Sequence, residues 1–196
     1  MKEVDPNEES LLRLIEDGVS ESANSLAAVS RTNWTTQTVS INADGVGSIR
    51  TRMMSDTKSY YGSYVTMPGA AFLMMVPQDR GAALAKAFLG ERSVRTGTTV
   101  PRESECISEI SNVVVHAIVN SLANACKESF FLSAPQMVLD KKSNLLTIAL
   151  DKLQNTGESY AVMAYVHLSS DKLSSDCTVL LFLSPSFHDR LIQALA

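Results

Sequence analysis

Four polar side chains on an otherwise apolar stretch are the strongest candidates for chemistry in this chain. Glu105, Glu109, Asn112 and His116 stand at offsets 0, 4, 7 and 11. At about 100° per helical residue they fall in one stripe roughly 60° wide. Glu109 and Asn112, three residues apart, would stand side by side on a helix. A carboxylate and an amide displayed together can meet a partner or orient a water. The amide both accepts and donates a hydrogen bond, and needs no pKa shift to do so. The same spacing also describes the solvated face of an amphipathic helix, so spacing alone leaves both readings open. His116 extends the stripe, although a histidine between Val113–Val115 and Ala117–Val119 is expected to be semi-buried and structural.

Other motifs carry less. Gly45-x-Gly47 lacks the strand, helix and later acidic residue of a dinucleotide site and reads as a turn. Ser184-x-Ser186 is no nucleophile elbow, Lys141-Lys142 reads as a turn, and His167 and His188 are isolated. Met53-Met54 and Met74-Met75 read as core or sheet residues. Cys106, Cys126 and Cys177 are three cysteines without CxxC spacing, too few for a zinc site or a secreted disulfide framework. On one helix, Cys106 and Cys126 would lie about 30 Å apart, beyond disulfide reach.

The stripe needs a helix, and the pattern predicts one over Ser104–Lys127. Ile107, Ile110, Val114, Ala117, Ile118, Ser121, Leu122 and Ala125 share its other face. A matching helix is predicted over residues 8 to 31, with Leu11, Leu12, Ile15, Val19, Ala23, Leu26, Ala27 and Ser30 inward and Asn7 as N-cap. Strands are expected around Val39 and Ile41, ending at Ala43-Asp44-Gly45, then over Ser48–Met54, Tyr60–Met67 and Ala71–Val76. A helix over Gln78–Leu89 follows Pro77. Residues 90 to 103 read as a connection. Phe130–Leu139, Leu145–Leu150, Tyr160–Leu168 and Cys177–Leu183 are expected strands, with Lys141–Asn144 as a hairpin turn and Phe187–Ala196 as a last helix.

FLMMVPQDRGAALAKAFL from Phe72 parallels LLFLSPSFHDRLIQAL from Leu180: an apolar strand, a proline, an amphipathic helix. The expected fold is therefore α+β. A duplicated unit of helices and three strands is related by a pseudo-twofold axis, and long helices pack on one face of a mostly antiparallel sheet. Composition agrees. Hydrophobic residues at 45% allow a real core, and a net charge of −4, from 17 basic against 21 acidic residues, argues against a nucleic-acid binder. The acidic start is unlike a signal peptide, and the longest apolar run, Val113–Val119, is broken by His116. A soluble cytoplasmic protein, not embedded in a membrane, is expected.

The run Glu105-Cys-Ile-Ser-Glu109-Ile-Ser-Asn112, followed after 22 residues by Pro135, resembles the signature of the CheC/CheX/FliY family. These are bacterial chemotaxis phosphatases that act on the phosphorylated response regulator CheY. The family pattern has Asp or Ser, Glu, Asn and Pro at those gaps. Glu109, Asn112 and Pro135 match, whereas Glu105 replaces the usual Asp or Ser. The resemblance extends over nearly the whole chain. It implies one CheC-like domain over 1–196, with repeats of about 8–90 and 104–196. It also implies an aspartyl-phosphate phosphatase in which Asn112 positions the attacking water and Glu109 docks on a lysine of the receiver. Glu105 and His116 would border the docking face, and Pro135 would shape the following strand. The chain would bind no cofactor or metal itself, since Mg2+ belongs to the response regulator. In the first helix, Glu16 takes the Glu position and Val19 the Asn position, so that site is expected to be degenerate. The alternative is a non-catalytic adaptor that docks on receiver domains or on a CheD-like receptor deamidase. Homodimerisation through a sheet edge would follow CheX-like relatives.

Overall fold

The computed structural model describes residues 6–45, 57–89, 103–154, 160–170 and 175–195. The first half contains helix α1 (Pro6–Ser30), strands β1 (Thr35–Gly45), β2 (Ser59–Met67) and β3 (Ala70–Pro77), and helix α2 (Gln78–Leu89). The second contains α3 (Glu103–Cys126), β4 (Gln136–Lys141), α4 (Lys142–Gln154), β5 (Tyr160–Ser170), β6 (Ser175–Leu183) and α5 (Pro185–Leu195). The six strands form one sheet in the order β1-β5-β6-β3-β2-β4, and every pairing is antiparallel.

That order reads the same from either end once the halves are exchanged. β3 and β6 pair at the centre, and each half's first strand crosses to the far side of the other's hairpin. Phe72 lies opposite Leu181 and Leu73 opposite Leu180. With Phe72 equivalent to Leu180, the pseudo-twofold axis passes between these two pairs. The Pro68-Gly69 corner joins β2 to β3. Proline supplies the first turn position, and Gly69 at φ 81° supplies the positive φ of the second, as in a type II turn.

Alternation in the strands divides the core in two. Val65, Phe72, Met74, Val76, Val166, Val179 and Leu181 face α1 and α3, whose buried residues include Leu11, Ile15, Leu26, Ile107, Ile110 and Val114. The intervening Tyr64, Leu73, Met75, Leu180 and Phe182 face α4 on the opposite side. The two long helices thus share one face of the sheet, and a shorter helix lies on the other.

Five expectations about elements change. Leu145–Leu150 is helical, not a strand. Its buried residues Leu145, Leu146, Ala149 and Leu150 have the one-and-four spacing of a helix face, which a short apolar run disguises. The hairpin turn expected at Lys141–Asn144 is instead the junction of β4 with α4. Of Phe130–Leu139 only the part from Gln136 is strand. Pro135 has no N–H to donate beyond the Tyr64–Gln136 pair, and Ser133 ties that stretch to Thr66 through N–H to carbonyl (2.8 Å) and hydroxyl (3.0 Å) contacts. β1 runs on through Asp44 and Gly45, paired with Ala161 and Tyr160, in place of a turn there. α1 begins at Pro6, one residue before the expected cap Asn7, where proline's missing N–H costs nothing. The extended piece expected at Ser48–Met54 lies outside the described residues.

Candidate functional site

α1 and α3 cross antiparallel at very close range. A Cβ on Gly18 would lie 2.9 Å from the Ile118 Cα and 3.0 Å from the Ser121 Oγ. One turn on, the buried Ser22 hydroxyl contacts the Gly18 carbonyl (2.8 Å) and the Val114 carbonyl across the seam (3.1 Å). Small residues on α1 therefore let α3 sink its apolar face and keep one narrow polar stripe outward. Glu105, Glu109 and His116 are exposed and Asn112 is half-buried, so the four residues picked out by spacing do share the outer side of α3.

The stripe has distinct surroundings at each position. His116 Nδ1 lies 2.8 Å from the Asn112 carbonyl oxygen; a carbonyl only accepts, so Nδ1 is the donor and Nε2 is left outward. This exposed ring differs from the semi-buried one expected, because the stripe faces solvent at that turn. Beneath Glu109, burial pushes the Cys106 thiol up to about 11 and the Glu109 carboxylate adds to the shift, so this cysteine is a packed thiol and not a nucleophile. Cys106, Cys126 and Cys177 form no disulfide. At the start of α3, Tyr61 Oη donates to Glu103 Oε2 at 2.7 Å. That hydrogen bond, with burial and the carboxylate charge, raises the Tyr61 phenol.

Beside the stripe is an open depression of about 290 Å3, lined by Ser104, Glu105, Ser108, Glu109 and Met137. Pro135 sits two residues before Met137, where it ends the ladder and lets β4 begin. A larger hollow of about 470 Å3, lined by Lys58, Ser59, Gln78 and Asp79, holds no amide–carboxylate pair at helical spacing. Among the described residues, no group of three His, Cys, Asp or Glu side chains is placed to hold a metal ion. α3 is also long and apolar enough to cross a membrane by length and composition, but over half of that stretch is buried against α1 and the sheet.

The first helix has a different register from the one expected. α1 and α3 each end on a non-glycine residue with positive φ, Arg31 (54°) and Lys127 (53°), which lie 96 residues apart. The same interval superposes buried Leu11, Ile15, Gly18, Val19, Ser22 and Leu26 on buried Ile107, Ser111, Val114, Val115, Ile118 and Leu122. Val19, 0% exposed, is then the counterpart of the core residue Val115 and not of Asn112. Glu16 takes the place of Asn112 and Arg13 that of Glu109, with Arg13 paired to Glu9 at 2.6 Å. Sequence reading also passed over Asp17, Glu21 and Asn24, which repeat the offsets of Glu105, Glu109 and Asn112 and are all exposed. They lie two turns out of the helix-end register. The antiparallel crossing at Ser22 and Val114 nevertheless brings Asn24 level with Asn112.

No family model matches the sequence, and no curated protein matches it. Solved structures do. The fold is similar to that of FliY from Thermotoga maritima (TM-score 0.73, 10% identity, covering 100% of this chain and 98% of that one). It is also similar to a chain of the FliG–FliM complex from H. pylori (TM-score 0.64, 9% identity, 97% and 100% covered). The chemotaxis protein CheX from Desulfovibrio desulfuricans gives a TM-score of 0.56 at 10% identity, with 88% and 99% covered. The chain thus has the CheC/CheX/FliY type of fold over essentially its whole length.

Proposed function

We propose that this chain is a CheC-like phosphatase that hydrolyses the aspartyl phosphate of a CheY-type receiver domain in the cytoplasm, as one CheC-like domain over 1–196. The observation that carries the reading is the Glu109–Asn112 pair, displayed outward on the long helix of a FliY- and CheX-like fold, with Pro135 at the matching distance. Phosphoryl transfer needs little covalent help from the enzyme; a water held in line and compensated charge do most of the work. The Asn112 amide accepts a hydrogen bond from the attacking water and aims its oxygen at phosphorus. As that P–O bond forms, the bond from phosphorus to the aspartyl oxygen breaks. The receiver's carboxylate leaves with the electron pair, and the water's proton passes to the phosphate or to solvent. Glu109 docks against a cation of the receiver, which brings its own Mg2+.

The test is the dephosphorylation rate of a phosphorylated receiver with the wild-type chain and with Asn112→Ala. Loss of water positioning should lower turnover roughly 100-fold or more, while binding of the receiver persists. An Asn112→Ala variant that turns over at the wild-type rate would refute the role of Asn112.

A second reading is a non-catalytic adaptor. It is favoured by the similarity to the chain seen in the FliG–FliM complex, where the solved assembly is protein with protein. The partner would be a receiver domain or a CheD-like deamidase, and homodimerisation through a sheet edge fits the same role. Receiver binding without any acceleration would select it.

A further inference from the structure

Shifted by 96 residues, the stripe Glu105, Glu109, Asn112 and His116 falls on Glu9, Arg13, Glu16 and Ser20 of α1, and all four of these are exposed. The shift is set by features outside the stripe: the positive φ at Arg31 and Lys127, and the buried positions that precede them. α1 therefore turns the same four positions outward as α3, with different chemistry. A guanidinium stands where α3 has the Glu109 carboxylate, and a carboxylate stands where it has the Asn112 amide. Arg13 pairs with Glu9 at 2.6 Å, but at 71% and 55% exposure such a pair adds little to stability. Packing thus gives no reason for a cation at that position. The two faces also stand close together. Along the antiparallel crossing fixed by Ser22 and Val114, Glu16 lies six residues to one side and Asn112 two to the other, about 12 Å apart in all. A small domain is about 30 Å across, so a receiver seated on α1 would cover Asn112.

We infer that Arg13 and Glu16 are specificity residues: they close the α1 face to the receiver domain, so that docking is confined to α3 and Asn112 stays uncovered. Given the proposed docking of Glu109 on a receiver cation, on which this inference rests, that cation would meet the Arg13 guanidinium on α1. The aspartyl phosphate would meet the Glu16 carboxylate. An ionised carboxylate accepts hydrogen bonds but donates none, so it offers the phosphoryl oxygens only like charge. Both encounters are repulsive. Discrimination rests on repulsion at the wrong face as well as on attraction at the right one.

The experiment is calorimetric titration of a beryllofluoride-activated CheY-type receiver into the wild-type chain and three variants, each checked by thermal melting. Glu109→Arg closes the α3 face by the same charge reversal and should weaken binding about 100-fold or more. Adding Arg13→Glu and Glu16→Ala to Glu109→Arg opens the α1 face and should recover binding by at least about 10-fold. Adding Arg80→Glu instead, at an exposed site on α2, alters bulk charge alone and should recover nothing. Binding by the triple variant no better than by Glu109→Arg would overturn this inference while the proposed function stood. Equal recovery with Arg80→Glu would overturn it too, since bulk charge would then suffice. Wild-type binding by Glu109→Arg would remove the docking role of Glu109 and this inference with it. No binding by the wild-type chain would overturn both readings together.

Discussion

Replacing Gly18 by alanine sets two effects on α1 against each other. Alanine gains about 1 kcal/mol of helix propensity over glycine. The added methyl, however, would stand 2.9 Å from the Ile118 Cα and 3.3 Å from the Ser121 Cβ. The first contact is with backbone, so no rotamer change relieves it, and reaching ordinary contact means separating the helices by about half an ångström or more. The Ser22–Val114 contact, already 3.1 Å, then stretches toward the end of hydrogen-bonding range. Overpacking of this kind costs about 1–3 kcal/mol and the weakened hydrogen bond about 0.5–1 kcal/mol. The net expectation is a destabilisation of about 0.5–3 kcal/mol. At about 2–4 °C per kcal/mol for a chain this size, melting should fall by roughly 1–12 °C. Differential scanning calorimetry of the variant beside Ser20→Ala, an exposed site on the same helix, separates packing from propensity. A Gly18→Ala melting temperature at or above that of wild type would refute the close crossing.

Ser111→Ala should raise stability by about 1 kcal/mol, read by denaturant unfolding, because the buried Ser111 hydroxyl has no hydrogen-bond partner and alanine is the better helix former. Asn24→Ala should keep receiver dephosphorylation within roughly twofold of wild type in the assay used for Asn112, since its side chain is out of the helix-end register. The Cys106 thiol titrates higher folded than unfolded, so the unfolded chain binds fewer protons between about 9 and 11. Its stabilising contribution is whole below pH 9 and is lost as pH climbs to 11, and Cys106→Ala should flatten that part of the stability–pH curve.

The long helices, the central strands and the stripe on α3 were legible because each rests on a period or a punctuating proline. Gln78–Leu89 and the Pro68-Gly69 corner are local in this sense. Leu145–Leu150 was misread because six apolar-rich residues satisfy both a buried strand and a helix face, and only the opposite side of the sheet decides between them. The register of α1 against α3 was hidden for a similar reason. Several offsets place apolar on apolar, and what separates them is where each helix stops, at Arg31 and Lys127. The depression beside Glu109 joins residues of α3 to Met137 on β4. It does not follow from periodicity within one element.

The crossing of first strands has a consequence for how the halves depend on each other. Among the described residues, β1 is held only by β5 and β4 only by β2, so Thr35 finds Ser169 far along the chain. Such pairings wait on loop closure over most of the sequence and slow folding. Separated between α2 and α3, each half would keep a hairpin and a long helix but lose the neighbour of its own first strand. It would present an open edge and a bare helix seam that fit the missing half. Two copies of one half could close the same six-strand order by symmetry. Intact, the covalent link favours the mixed pairing, and only that pairing lets the Glu109–Asn112 face differ from its counterpart at Arg13 and Glu16.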